Sequence, residues 1–209
     1  MPVKLSRIAW ENIFEKVIHF IVNKQGFGGP CFIAGGAPRD AFLGKHVKDV
    51  DVFVNLPIEV ADGLFLNAAK DNTSKNSYIG KNIKRVYNIF VPGCPVNVQI
   101  INDGRITHYT DDLFKTFDLG ICMFRWSPLH SRIMVDDRAA SDSLKHQITV
   151  IGAANQEHID RILEKYPGYV LVYGHEDILI PEIPDHLLTA FYRKLKNKKS
   201  KELYEDVEL

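Results

Sequence analysis

The sequence predicts an α+β domain with a mixed β-sheet flanked by helices. Three observations support this fold class. Segments with helical spacing of apolar residues are interleaved with short apolar runs typical of strands. A strand, a glycine turn, a short helix and a second strand follow one another between residues 31 and 54. Finally, "IKRVYNIFV" and "VNVQIIN" are joined by "PGCP", which indicates a β-hairpin.

Each element follows from a local pattern. Apolar residues at helical spacing predict an amphipathic helix over 8–24, which "QGFGGP" ends. "CFIAGG" is typical of a buried strand running into a turn, and "APRDAFLG" of a short helix closed by Gly44. "VDVFV" is expected to be a strand. The remaining patterns predict these elements: helix 57–70, a short helix or turn at 111–116, strand 117–126, strand 132–137, helix 138–146, strand 148–151 and helix 155–166.

The C-terminal residues differ in composition from the rest. Residues 186–209, "HLLTAFYRKLKNKKSKELYEDVEL", begin amphipathic, continue as a lysine cluster and end acidic. We therefore expect one main domain over residues 1–185 and a C-terminal helix with a charged tail over residues 186–209.

Composition narrows the functional classes. The 209 residues are 45% hydrophobic and 25% charged, as in an ordinary globular protein. The 26 Lys and Arg residues equal the 26 Asp and Glu residues, which argues against strong non-specific nucleic-acid binding but allows a local basic patch. The three cysteines form no C-x-x-C pair, so neither a zinc knuckle nor a disulfide framework is indicated.

No apolar run is long enough to predict a membrane span, and charges interrupt the apolar residues at the N-terminus. We expect a cytoplasmic protein without a membrane partner. The sequence also lacks H-E-x-x-H and G-x-S-x-G motifs, which leaves a zinc hydrolase and an α/β-hydrolase unsupported.

The acidic pair on the "VDVFV" strand suggests a metal site. Asp49 and Asp51 are two residues apart, so their side chains lie on one face of a strand. Two carboxylates this close repel unless a cation offsets their charge. Mg²⁺ prefers such hard oxygen ligands and completes its shell with water or substrate phosphate.

The glycines before this strand suggest a phosphate site. Gly35 and Gly36 have no side chain, so the backbone N–H groups can approach a phosphate, and the following helix adds its N-terminal partial charge. Arg39 can pair with the same triphosphate or with an acid such as Asp40. Singly, these features are also typical of an ordinary turn and a surface ion pair. Together they predict a site for a nucleoside triphosphate and its metal.

The stretch "GGAPRDAFLGKHVKDVDVFV" resembles the signature of the nucleotidyltransferase superfamily typified by DNA polymerase beta. It is closest to the class containing bacterial poly(A) polymerases and CCA-adding tRNA nucleotidyltransferases. The signature lies within residues 32–54, and the resemblance covers the catalytic head at about residues 30–125. The matching positions are Gly35, Gly36, Arg39, Asp40, Leu43, Gly44, Asp49 and Asp51.

A second, weaker resemblance lies at "FKTFDLGICMF". Asp118 stands where this class has the aspartate of an Arg-Arg-Asp, while Thr116 and Phe117 replace the two arginines. The match is more similar to the small stand-alone heads of phages and large DNA viruses, where a Phe-Asp begins this strand. A phage-encoded protein would act in the host cytoplasm.

The resemblance implies a nucleotidyltransferase fold and a magnesium-dependent activity. The reaction would move a nucleoside monophosphate from a nucleoside triphosphate to an acceptor hydroxyl, releasing pyrophosphate, with RNA (tRNA-like or a 3′ end) as the expected acceptor. It implies that Asp49, Asp51 and Asp118 hold Mg²⁺ and carry catalysis. By the same resemblance Gly35, Gly36, Arg39 and Asp40 bind the nucleotide.

The sequence departs from this class at the third carboxylate. On "VNVQIIN", Asn97 and Gln99 occupy the positions where an acid is expected, and an amide can ligate a metal but cannot act as a general base. Either Asp118 fills the gap, or two carboxylates suffice, or activity is lost. The base-selecting Glu-Asp-x-x-Arg motif is not recognisable, so CCA addition itself is not expected.

Two other functions remain open. One is a catalytically inactive, antitoxin-like binding protein on the same fold, which Asn97 and Gln99 favour and which retention of Asp49 and Asp51 opposes. The other is a nucleotidyltransferase that modifies a protein or small molecule. Beyond the head, Arg161 and Lys165 are four residues apart and share a helix face that can meet solvent or phosphate.

Overall fold

The structure, a computed structural model, describes residues 2–24, 26–66, 82–106, 117–151 and 154–174. The predictions for residues 67–70, 111–116 and 186–209, together with Thr116, lie outside the described residues. The chain divides into two compact units. The first comprises Met1–Phe117 and Cys122–Val135, and the second comprises Asp118–Ile121 and Asp136–Leu209.

A six-stranded mixed sheet forms the first unit, in the order β3-β4-β2-β1-β5-β6. Of its five strand pairings, only that between β2 and β4 is parallel. The predicted hairpin is confirmed as the antiparallel pair β3–β4. The strands are β1 (Cys31–Ala34), β2 (Asp49–Val54), β3 (Ile83–Ile89), β4 (Asn97–Asp103), β5 (Phe124–Ser127) and β6 (Arg132–Val135).

The described residues of this unit form three α-helices: α1 (Arg7–His19), α2 (Gly36–Phe42) and α3 (Ile58–Phe65). Ser6 caps α1 by accepting a hydrogen bond from the Ala9 N–H. The helix predicted over 8–24 is α-helical only to His19 and continues as a π-helical turn, Phe20–Lys24. The buried Trp10 and Phe14 side chains of α1 stack with their ring centroids 5.8 Å apart.

The second unit contains α4 (Asp137–Lys145), β7 (Gln147–Ile151), α5 (Gln156–Lys165) and β8 (Val170–Gly174). The strands β7 and β8 pair in parallel, as a strand–helix–strand unit requires. Asp136 caps α4 and Asn155 caps α5, because each side chain accepts a hydrogen bond from a first-turn N–H. The buried Asp142 carboxylate accepts bonds from both the N–H and the hydroxyl of Thr149.

The strand predicted over 117–126 is wrong for its first half. The chain forms a 3₁₀ helix at Gly120–Cys122, and β5 begins only at Phe124. All residues from Leu119 to Phe124 are buried, and such a continuous apolar run has no period that separates a strand from a helical turn. In the described part of the chain, no helix has both the length and the apolar character needed to cross a membrane.

Candidate active site

The two predicted aspartates lie on one face of β2, as expected. Asp49 and Asp51 are half-buried, whereas the alternating residue Val50 is fully buried on the opposite face. The parallel pairing with β4 places Asn97 beside Asp49 and Gln99 beside Asp51. The structure therefore brings two carboxylates and two carboxamides onto one face of two adjacent strands.

The glycine turn lies at the neighbouring end of β1. Ile33 of β1 pairs with Val52 of β2, so the next residues of β1 run alongside the acidic end of β2. Gly35 has φ 83° and ψ −128°, a conformation that is essentially restricted to glycine. Its N–H donates to the carbonyl of Phe124 at 2.8 Å. The expected contact of this N–H with phosphate therefore competes with a sheet hydrogen bond.

An aromatic ring covers the turn. A methyl group added at Gly35 would lie 3.4 Å from the ring of Phe117. The Phe117 ring also meets Phe53 of β2 edge-on, with centroids 5.9 Å apart. Phe117 thus contributes apolar packing at the turn.

Arg39 and Asp40 form a buried ion pair. Both residues are almost inaccessible to solvent, and Arg39 Nε lies 2.9 Å from Asp40 Oδ1. Arg39 Nη1 also donates to the Cys122 thiol at 3.2 Å. The sequence left two partners open for Arg39, the triphosphate or an acid such as Asp40. The structure shows the pairing with Asp40.

The surroundings of Asp51 disfavour the ionised form of its carboxyl group. Burial, followed by the negative charge of Asp49, raises the pKa of Asp51 from its ordinary 3.8 to about 7. The positive charges of Lys48 and Arg39 lower it and offset only part of this effect. An acid pair with this property is stabilised by a bound cation.

A third carboxamide, that of Asn88, contacts the other two. Asn88 of β3 lies opposite Gln99 in the register. Its Oδ1 accepts a hydrogen bond from Asn97 Nδ2 at 2.8 Å and another from Gln99 Nε2 at 3.1 Å. Sequence reasoning missed Asn88, although a polar residue within the apolar run "VYNIFV" was a visible signal.

The oxygen ligands that this face offers fit Mg²⁺. It offers two carboxylates and the neutral oxygens of carboxamides, all of which are hard ligands. Within the described residues, no group of three or more His, Cys, Asp or Glu side chains is arranged to hold a metal. The remaining ligands would therefore be amide oxygens, water or substrate phosphate.

Asp118 belongs to the second unit and precedes the 3₁₀ helix instead of opening a strand. Its Oδ2 lies 3.0 Å from Nδ1 of His158 on α5, and its carbonyl accepts from the Ile151 N–H. Burial raises the pKa of Asp118, but His158 and the positive charge of Arg161 outweigh this effect, so the pKa is lowered overall. Forty residues separate Asp118 from His158, and no sequence pattern links them.

Comparison with solved structures shows the nucleotidyltransferase fold. An apo form of a tRNA-processing enzyme matches 93% of this chain and 50% of its own, with a TM-score of 0.50 and 18% identity. An apo form II of a CCA-adding enzyme matches 78% of this chain and 41% of its own, with a TM-score of 0.50 and 14% identity. The Bacillus stearothermophilus CCA-adding enzyme in complex with CTP matches 76% of this chain and 40% of its own, with a TM-score of 0.49 and 16% identity.

The two structures with a TM-score of 0.50 establish the fold alone, because their sequences are only 14–18% identical to this one. The chain spans half or less of the length of the enzymes that it matches. No curated protein matches the sequence. A protein-family model does match, over residues 7–146, which is well over half of the chain. On that match, the chain belongs to the Gabija anti-defense 2 family.

Proposed function

We propose that the protein is a magnesium-dependent nucleotidyltransferase. It would move a nucleoside monophosphate from a nucleoside triphosphate to an acceptor hydroxyl and release pyrophosphate. One observation carries this proposal: the acidic pair on β2 lies beside the glycine turn that ends β1, within a nucleotidyltransferase fold. The segment at Asp118 is more similar to the small stand-alone heads of phages and large DNA viruses than to the heads of the larger enzymes.

Each residue has a defined part in this proposal. Asp49 and Asp51 would hold Mg²⁺, which when bound offsets the charge of the triphosphate and orients it. The turn at Gly35 and Gly36 would bind the β- and γ-phosphates through its backbone, since Gly35 has a positive φ that residues with a side chain rarely adopt. Arg39, paired with Asp40, would hold the helix that follows the turn through its hydrogen bond to the Cys122 thiol. Positioning and charge neutralisation would supply most of the rate.

On the resemblance alone, Asp118 is the proposed third carboxylate. Its lowered pKa keeps it ionised at neutral pH, which a metal ligand requires. His158 fixes the orientation of the carboxylate through its 3.0 Å contact with Oδ2. The alternative, in which two carboxylates suffice, needs no contribution from Asp118.

The family name supports an acceptor that belongs to the Gabija defence or is used by it. RNA, tRNA-like or at a 3′ end, is the first acceptor class that we propose. The balanced charge of 26 basic and 26 acidic residues leaves a protein or small-molecule acceptor as the alternative. Salt dependence of binding separates these classes, since contacts with nucleic-acid phosphates weaken steeply as salt rises.

Label transfer tests the proposal directly. Each of the four α-labelled nucleoside triphosphates is incubated with Mg²⁺, the protein, and either total RNA or whole-cell protein from cells that carry a Gabija system. The Asp49→Ala/Asp51→Ala double variant serves as the control. We expect label on one acceptor class, abolished in the variant. Absence of label on any acceptor, with folded protein, contradicts the proposed activity.

The second candidate is a catalytically inactive binding protein that counteracts the defence by occupancy. Asn97 and Gln99 favour it, because they replace acid with neutral amide beside both aspartates. The two candidate functions predict different levels of protection by the double variant in cells that carry a Gabija system. Protection by the Asp49→Ala/Asp51→Ala variant at the wild-type level supports binding alone, whereas loss of protection supports catalysis.

A further inference from the structure

The carboxamides beside the acidic pair have an unexpected orientation. Asn97 and Gln99 are the register partners of Asp49 and Asp51, so their amide nitrogens could donate hydrogen bonds to those carboxylates. Within the described residues, both nitrogens instead donate to one oxygen of Asn88, on the other side of β4. Donors are thus turned away from two neighbouring negative charges.

The planar geometry of a carboxamide specifies what faces the acids. Nitrogen and oxygen diverge from the same carbon, so an amide whose nitrogen points toward β3 directs its oxygen away from β3. In the sheet, β4 lies between β3 and β2. The oxygens of Asn97 and Gln99 are therefore directed toward the β2 side, where both carboxylates lie.

Four oxygen-bearing groups gathered in this way repel one another unless a cation lies among them. We propose that Asn88 is a positioning residue that orients the Asn97 and Gln99 amide oxygens toward Asp49 and Asp51 to complete the site of a single divalent cation. This inference rests on the proposed function and deepens its metal site. Two carboxylates balance the charge of one divalent ion, and the neutral amides add ligands without adding charge.

Metal binding without nucleotide tests the proposal. Mn²⁺ is the probe, and free Mn²⁺ is measured by electron paramagnetic resonance during titration of the full chain. We expect one ion per chain. Asn88→Ala frees both amides to turn toward the carboxylates, and we expect its Mn²⁺ affinity to fall by about 10–100-fold, as for other residues that orient metal ligands.

Three further variants sharpen the test. Asn88→Asp retains an acceptor for both amides, so we expect Mn²⁺ affinity at the wild-type level or above it. Gln99→Leu removes an oxygen ligand and should weaken binding, whereas Gln99→Glu adds a carboxylate and should strengthen it. Asn12→Ala changes an exposed asparagine of α1 and should leave binding unchanged. Thermal unfolding of each variant verifies that it is folded.

Nuclear magnetic resonance gives a readout that a merely structural role of Asn88 would not produce. The side-chain amide signals of Asn97 and Gln99 should broaden on addition of Mn²⁺ to wild type and broaden less in Asn88→Ala. Wild-type affinity in both Asn88→Ala and Gln99→Leu overturns this inference and leaves the proposed function standing if Asp49→Ala/Asp51→Ala still abolishes binding. If wild type binds no Mn²⁺ without nucleotide, this inference fails, and label transfer still decides the proposed function.

Discussion

Gln99 is the register partner of Asp51, yet its amide nitrogen is hydrogen-bonded away from that carboxylate, 3.1 Å from Asn88 Oδ1. The carboxyl group of Asp51 is thus held half-buried, beside Asp49, without an amide donor from β4. This arrangement is unfavourable for the protein alone. Asp51, which is suited to binding a cation, should therefore lower the stability of the cation-free protein.

We predict that Asp51→Asn stabilises the metal-free protein in a pH-dependent way. The folded state keeps the Asp51 proton until about pH 7, whereas the unfolded chain releases it near the ordinary value of 3.8. The folded state therefore binds more protons in this window, and stability falls as pH rises through it. Near pH 8 the variant should gain about 2 kcal/mol, a figure reduced for the partial exposure of the group.

Urea unfolding in the presence of a chelator measures this effect. The gain should shrink toward zero as pH falls below 3.8, where the folded and unfolded states are both protonated. Glu15→Gln neutralises an exposed acid on α1 and is the matched control, with no gain expected at either pH. An equal gain for Asp51→Asn at both pH values would contradict the proposed origin of the strain.

Gly35 and Gly63 should respond oppositely to alanine. Gly35 has φ 83°, and an added methyl group would lie 3.4 Å from the Phe117 ring, so we expect Gly35→Ala to cost about 1–3 kcal/mol. Gly63 lies within α3 with open space around it, so Gly63→Ala should stabilise by about 0.5–1 kcal/mol. Chemical denaturation measures both. Tolerance of alanine at Gly35 would contradict the strained geometry of the turn.

The sequence predicted most of the fold because its periodic elements are local. The strand–turn–helix–strand of residues 31–54 and the helix α4 depend on neighbouring residues. The contact of Asn88 with Asn97 depends instead on strand register, and that of His158 with Asp118 joins residues far apart in the sequence. Local sequence patterns predict neither contact. The strand predicted before Phe124 was wrong for another reason. The residues there are uniformly buried, so their sequence lacks the alternation of apolar and polar residues on which the prediction relies.

Arg39 should be a determinant of stability. Its guanidinium is buried with Asp40 and contacts the Cys122 thiol. Arg39→Ala leaves the Asp40 carboxylate buried without this ion pair and should cost about 3–5 kcal/mol in the free energy of unfolding. Arg39→Lys should recover little, since an ammonium cannot reproduce the guanidinium geometry.

The control for Arg39 is Arg132→Ala, an exposed arginine on β6, with an expected change within about 0.5 kcal/mol. Urea titration followed by tryptophan fluorescence measures all three variants. If Arg39→Ala unfolds at the wild-type urea concentration but loses affinity for triphosphate, Arg39 acts on the ligand and the stabilising role is wrong.

Asp142 should be essential to the second unit. Its buried carboxylate accepts from the Thr149 N–H at 2.9 Å, the Thr149 hydroxyl at 2.6 Å and Gln147 Nε2 at 3.2 Å. Asp142→Ala leaves these donors unsatisfied and should cost about 2–4 kcal/mol. Asp160→Ala, at an exposed position on α5, is the control. Hydrogen exchange should show faster exchange of β7 amides in Asp142→Ala only, and unchanged exchange would contradict the anchoring role.

The contact of Asp118 with His158 allows a structural role to be separated from a catalytic one. The pKa of Asp118 is lowered, so its contribution to stability is fully present at neutral pH and is lost only as pH falls through the folded-state pKa, below 3.8. Both side chains are partly exposed, and a double-mutant cycle of Asp118→Asn and His158→Ala should give a coupling energy of about 1 kcal/mol or less.

Label transfer should separate the two residues further. If Asp118 is the third carboxylate, Asp118→Asn should lower the rate by more than about 100-fold, which corresponds to about 2.7 kcal/mol in the transition state. His158→Ala should lower it by a smaller factor, because the carboxylate itself remains. Asp160→Asn, on the same helix as His158, should change neither stability nor rate. Equal losses of rate and of stability in Asp118→Asn would identify Asp118 as structural, and the site would then work with Asp49 and Asp51 alone.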